Sequence, residues 1–165
     1  MRAFWIRSLV IVAVMAALGG SLEAQRRPAA RRSRATTPAP RLGAHLGYNF
    51  DGDAALVGAQ ASFALAPSFD LYPSFDFYFV DPGSLWSLNL DVRYRPPTRY
   101  SLLYFGGGIN YSRASAGGLS GSDTNLNLIG GVEGRRRRAT PYGELRLTIG
   151  NGSSFQIAGG VSWRL

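Results

Sequence analysis

The stretch Ser154–Leu165, SFQIAGGVSWRL, decides the fold. Phe155, Ile157, Val161, Trp163 and Leu165 occupy one parity, and Ser154, Gln156, Gly160, Ser162 and Arg164 occupy the other. A two-residue period is the mark of a β-strand, whose successive side chains point to opposite faces.

Working back from this strand, the same alternation recurs, separated each time by turn chemistry. The predicted strands are Leu42–Phe50, Ala55–Leu65, Phe69–Val80, Leu85–Arg95, Tyr100–Ser112, Asp123–Glu133, Pro141–Ile149 and Ser154–Leu165. Asp51-Gly52-Asp53 and Gly150-Asn151-Gly152 are strong hairpin signals. Pro67, Asp81-Pro82-Gly83, Pro96-Pro97 and the Arg135–Arg138 run close other strands, and Arg113–Ser122 is expected to be a Gly/Ser-rich loop. The strands run 9–13 residues, against roughly 9–11 for a tilted membrane-crossing strand and 5–6 for an ordinary globular one.

The N-terminal part of the chain has another character. Arg2 and Arg7 precede an apolar run, Ser8–Leu18, and Ala24 offers a cleavage site, so residues 1–24 are predicted to be a signal peptide. Residues 25–40, QRRPAARRSRATTPAP, carry five arginines and three prolines with little apolar bulk. They are predicted to be a disordered basic linker. Residues 41–165 form the predicted barrel domain. Much of the net charge of +8 lies ahead of that domain, so it does not mark a nucleic-acid surface. With no cysteine and a single histidine, His45, disulfides and multi-His metal sites are excluded within the chain, and no cofactor is expected.

Alternation alone fits a membrane barrel with its apolar face outward or a soluble barrel with its apolar face inward. The polar parity favours the first. It lacks a Lys/Glu coat and holds Gly58, Gln60 and Ser62, Ser74 and Asp76, Ser87, Asn89 and Asp91. The apolar parity places Tyr48, Phe50, Phe79, Trp86, Tyr94, Tyr111 and Trp163 near strand ends, as in interfacial aromatic girdles. The expected fold is an all-β, eight-stranded antiparallel up-and-down transmembrane barrel.

From Leu42 to Leu165 the chain resembles the small eight-stranded outer-membrane barrels of the OmpA/OmpX type. Its last strand resembles their assembly signal, with Gly160, Trp163 and Leu165 on the expected spacing. Ala158 stands in the polar slot and Leu165 where an aromatic is usual. The resemblance implies residence in the cell outer membrane, both chain ends in the periplasm and Arg113–Ser122 outside. It also implies contact with outer-membrane lipids, lipopolysaccharide and the barrel-assembly machinery, with the barrel acting as a monomer.

Eight strands leave an interior that side chains fill. The inward parity collects Asp70, Asp76, Asp91, Arg93, Arg95, Glu133, Glu144, Arg146 and Arg164, with Gln60, Asn89, Asn125, Asn127 and Gln156. Buried charges must be paired, and the predicted lumen ion-pair network is Asp91, Glu133 and Glu144 with Arg93 and Arg146. A catalytic reading would need His45 beside a serine such as Ser62 or Ser162, without a His-x-Ser pattern to support it. No catalytic residue is assigned. The expected function is a non-enzymatic role in envelope integrity or surface interaction. A small gated channel, a lipid-modifying enzyme and a ligand-binding surface receptor are the alternatives.

Overall fold

The computed structural model describes residues 38–97, 102–135 and 137–165. The signal peptide at 1–24 and all of the linker except residues 38–40 lie outside the described residues, as does Tyr100. The strands are β1 (Arg41–Asn49), β2 (Ala54–Ala66), β3 (Phe69–Phe79), β4 (Ser84–Tyr94), β5 (Leu103–Ala116), β6 (Leu119–Glu133), β7 (Ala139–Ile149) and β8 (Ser154–Arg164).

Each strand pairs antiparallel with the next, and β8 returns to β1 from Arg41↔Arg164 to Asn49↔Gln156, closing the barrel. Closure leaves the membrane-height wall without an open edge, which lipid could not hydrogen-bond. One irregularity interrupts the wall, a register shift between Ala64 and Ala66 where β2 meets β3.

The alternation becomes two faces. Leu46, Phe63, Phe75, Leu88, Phe105, Ile109, Leu126, Leu128 and Ile157 are exposed on the outside, while polar and charged residues from every strand are buried within. Water would penalise an apolar exterior of this extent, and a hydrocarbon surround removes the penalty. Aromatic pairs mark both ends of this belt. Phe50 stacks on Phe155 with centroids 5.6 Å apart at one rim, and Phe69 tilts against Tyr94 at 5.1 Å near the other.

Arg113–Ser122 is not a loop. Paired residues run continuously from Ser112↔Asp123 to Ala116↔Leu119, and only Gly117 and Gly118 turn. Their φ angles, +58° and +82°, are what a two-residue hairpin turn of the primed type needs, and glycine adopts them without steric cost. β4 accompanies β5 up to Ser84↔Ser115, but β7 leaves β6 after Leu126↔Ile149. Residues Leu119–Asn125 therefore pair with β5 alone, and the hairpin stands above the wall on its β7 side.

Candidate functional site

The lumen is filled in tiers. At mid-barrel, Arg146 on β7 is a hub whose side chain is 4% exposed, with Glu144 Oε1 at 3.1 Å, Asp91 Oδ2 at 3.2 Å and Asp76 Oδ2 at 3.5 Å. Polar side chains lock this hub to the surrounding strands. Asn89 donates to Asp76 Oδ2 at 3.0 Å, Asn127 donates to Asp91 Oδ1 at 3.1 Å, and Tyr104 donates to Glu144 Oε2 at 2.8 Å. His45 reaches Asp76 Oδ1 at 2.7 Å through Nε2 and Gln60 Oε1 at 2.6 Å through Nδ1. Facing a carboxylate, Nε2 carries a proton.

A second tier lies toward the rim that holds the chain ends. Arg93 Cζ lies over the Tyr72 ring, 3.6 Å from its centroid, and 4.8 Å from that of Tyr104, a cation–π arrangement favoured by exclusion of water. Its NH2 donates to Ser62 Oγ at 3.1 Å and stands 3.6 Å from Asp70 Oδ2. Arg95 pairs with Asp70 and lies 3.7 Å from Glu133. Nearer that rim, Arg41 donates to Thr140 Oγ1 at 2.5 Å, to Ser162 O at 2.9 Å and to Arg137 O at 3.2 Å. At the opposite end, Tyr78 closes a small apolar cluster with Ala54 and Leu56 and donates to Gln156 Oε1 at 2.9 Å.

Of the residues named from sequence for the network, Asp91, Glu144 and Arg146 meet directly. Arg93 and Glu133 belong to the second tier, linked through Asp70 and Arg95 rather than to Arg146. His45, Asp70, Asp76, Arg95 and Arg41 also belong to these tiers; the inward parity points to Asp70, Asp76 and Arg95, whereas Arg41 precedes the predicted strand Leu42–Phe50 and carries no such signal. Arg164, expected inward, sits exposed at the rim. Gly160 faces the lumen, where an added Cβ would fall 2.8 Å from both His45 Cβ and the Tyr142 hydroxyl. Trp163 and Leu165 face outward.

The polar partners of His45 are Gln60 and Asp76, and no hydrogen bond joins it to Ser62 or Ser162. The Ser–His contact considered from the sequence is therefore not formed, and Ser62 donates instead to Asp70 Oδ2 at 3.2 Å. Nor do described His, Asp and Glu residues form a group arranged to hold a metal. Within the second tier, beside Gln60, Tyr72, Arg93, Glu133 and Tyr142, lies a void of about 10 Å³. This is about the lower limit for holding one water molecule. A vestibule of about 310 Å³ opens at the outer rim, on the far side of the Arg146 hub, lined by Asn49, Tyr78, Ser87, Asn110 and Asn125 among others.

A closed eight-stranded wall, an apolar exterior and a polar plugged lumen coincide in one chain. The fold is that of the small outer-membrane barrels. The N-terminal barrel of OprF from Pseudomonas aeruginosa superimposes with a TM-score of 0.65 at 18% identity, covering 78% of this chain and 98% of that one. Neisserial surface protein A gives 0.61 at 17%, covering 76% and 96%. Ail of Yersinia pestis gives 0.52 at 15%, covering 77% and 97%. No family model and no curated protein matches the chain. At these identities the likeness is one of fold, and a fold of this kind carries many functions.

Proposed function

We propose that this chain is a non-enzymatic, non-conducting barrel of the cell outer membrane, serving envelope integrity or surface interaction. The observation that carries this reading is the interlocked lumen. Arg146 is held by three carboxylates, Arg93 stands over the Tyr72 ring and near that of Tyr104, and the void beside Arg93 in the second tier is about 10 Å³. An ion would have to break several buried pairs at once to cross, each break leaving an uncompensated charge. Residence in the outer membrane is supported by the apolar exterior and by the signal-peptide pattern at residues 1–24.

The hairpin above the wall favours the surface-interaction side of this reading. Its β6 edge lacks a β7 partner beyond Leu126, and Leu119 at its tip is exposed. Such an edge can accept an extended segment of a partner by strand addition. A structure of Ail contains the heparin analogue sucrose octasulfate. The outer rim here exposes Asp51, Asp53, Asp81 and Asp123 against Arg113, a charge balance that disfavours a polysulfated ligand.

The test is SDS mobility of the fractionated cell envelope, with and without boiling. The expected result is a heat-modifiable band in the outer-membrane fraction, because a closed barrel resists cold SDS. A soluble periplasmic band with one mobility would overturn the reading.

A further inference from the structure

The rim that holds the chain ends carries an unexplained concentration of positive charge. Arg137 and Arg138 project from the β6–β7 turn, and Arg164 ends β8. The Arg164 amide donates to the Arg138 carbonyl at 2.9 Å, which places these two residues side by side. With Arg41, Pro38 and Leu165 they line an open pocket of about 410 Å³. Arg41 is committed to Thr140, Ser162 and the Arg137 carbonyl, so it fixes the turn rather than serving a ligand. Arg137, Arg138 and Arg164 are exposed, and no described carboxylate lies within ion-pair distance of them. The exposed carboxylates among the described residues, Asp51, Asp53, Asp81 and Asp123, belong to the opposite rim.

The pocket sits where the wall meets lipid. Trp163, one residue from Arg164, faces outward beside Leu42, its register partner on β1, and Leu165 is 69% exposed. An indole at a strand end marks the level of the lipid headgroups. Leu165, which shares the outward parity of Trp163, lines the pocket, so a molecule filling it meets an exposed apolar side chain beside the guanidinium groups.

We propose that this pocket binds the phosphate headgroup of an anionic phospholipid in the periplasmic leaflet, with its acyl chains leaving past Leu165. Arg138 and Arg164 supply the charge, and arginine forks suit phosphate oxygens. The proposal rests on the membrane-barrel reading above, and its orientation on both chain ends being periplasmic.

Native mass spectrometry of the purified barrel in neutral detergent tests it, using phosphatidylglycerol and phosphatidylcholine with identical acyl chains. Phosphatidylglycerol should be retained at roughly tenfold lower concentration, in line with the attraction of surface arginines to anionic lipid. The double variant Arg138→Ala/Arg164→Ala should lose that preference, whereas Arg113→Ala on the other rim should keep it. Deacylated glycerophosphoglycerol should not displace the lipid. Equal retention of the two lipids by the wild-type barrel, or a preference surviving in the double variant, would overturn the proposal. Displacement by the deacylated headgroup at equal concentration would also overturn it, by showing that the site takes a soluble phosphate. Cold-SDS mobility, read on the same samples, separates these failures from a failure of the barrel reading itself.

Discussion

His45 and Asp76 stand on strands two apart, yet their side chains meet at 2.7 Å, because the residue between them is Gly58. A Cβ at Gly58 would lie 2.2 Å from His45 Nε2 and 2.5 Å from Asp76 Oδ1. The same construction recurs twice. Asp91 reaches Asn127 over Gly108, and Tyr104 reaches Glu144 over Gly131. Glycines inside strands usually weaken them. Here they clear a path for links that fasten next-nearest strands across the lumen.

Gly58→Ala is expected to destabilise the barrel by about 3 kcal/mol, combining an overpacked interior with the loss of a buried hydrogen bond. Reversible urea unfolding in lipid vesicles reads this directly. The control is Gly152→Ala, where an added Cβ meets nothing within 4 Å. That change should stay within about 0.5 kcal/mol of wild type.

Arg146→Ala leaves Asp76, Asp91 and Glu144 facing one another without their shared cation. The expected loss is roughly 3–5 kcal/mol by the same unfolding measurement. Adding Asp91→Asn to Arg146→Ala should recover part of it, since one uncompensated charge is then removed. A strictly additive pair of losses would argue against a shared network.

The outward face is tested at Leu128, which is 54% exposed at mid-strand yet apolar. Leu128→Arg should cost about 2–4 kcal/mol in a bilayer. In a soluble barrel the same substitution at an exposed position would be nearly neutral.

The turn at the hairpin tip depends on positive φ at two successive residues. Gly118→Val should loosen pairing between Ala114 and Gly121, seen as faster amide exchange there, with the barrel midpoint in urea almost unchanged. Uniformly faster exchange throughout the wall would show instead that the hairpin is integral to barrel stability.

Strand number, strand order and the direction of each face were legible in the sequence because the two-residue period survives in every strand. The hairpin was not. Ser112–Ser122 is built from Ser, Gly, Ala, Arg and a single Leu, a composition that carries no apolar parity to read. It is held by backbone pairing and by the φ freedom of Gly117 and Gly118. Within the lumen, parity identified the inward charges, but their partners depend on the stagger between strands. That stagger placed Arg146 level with Asp76 and Asp91, and it set Glu133 apart with Arg95. Nothing local to Gly58 or Gly131 signals the links that pass over them.

The central claim is that the lumen is sealed. Conductance of the purified, heat-modifiable barrel in a planar lipid bilayer tests it most directly. The expected record is a silent membrane, without discrete steps, at protein levels where cold-SDS mobility proves insertion-competent folded barrel. Reproducible unitary steps that change in size or frequency in Arg146→Ala would contradict the account, and would make the ion pairs of Arg146 a gate.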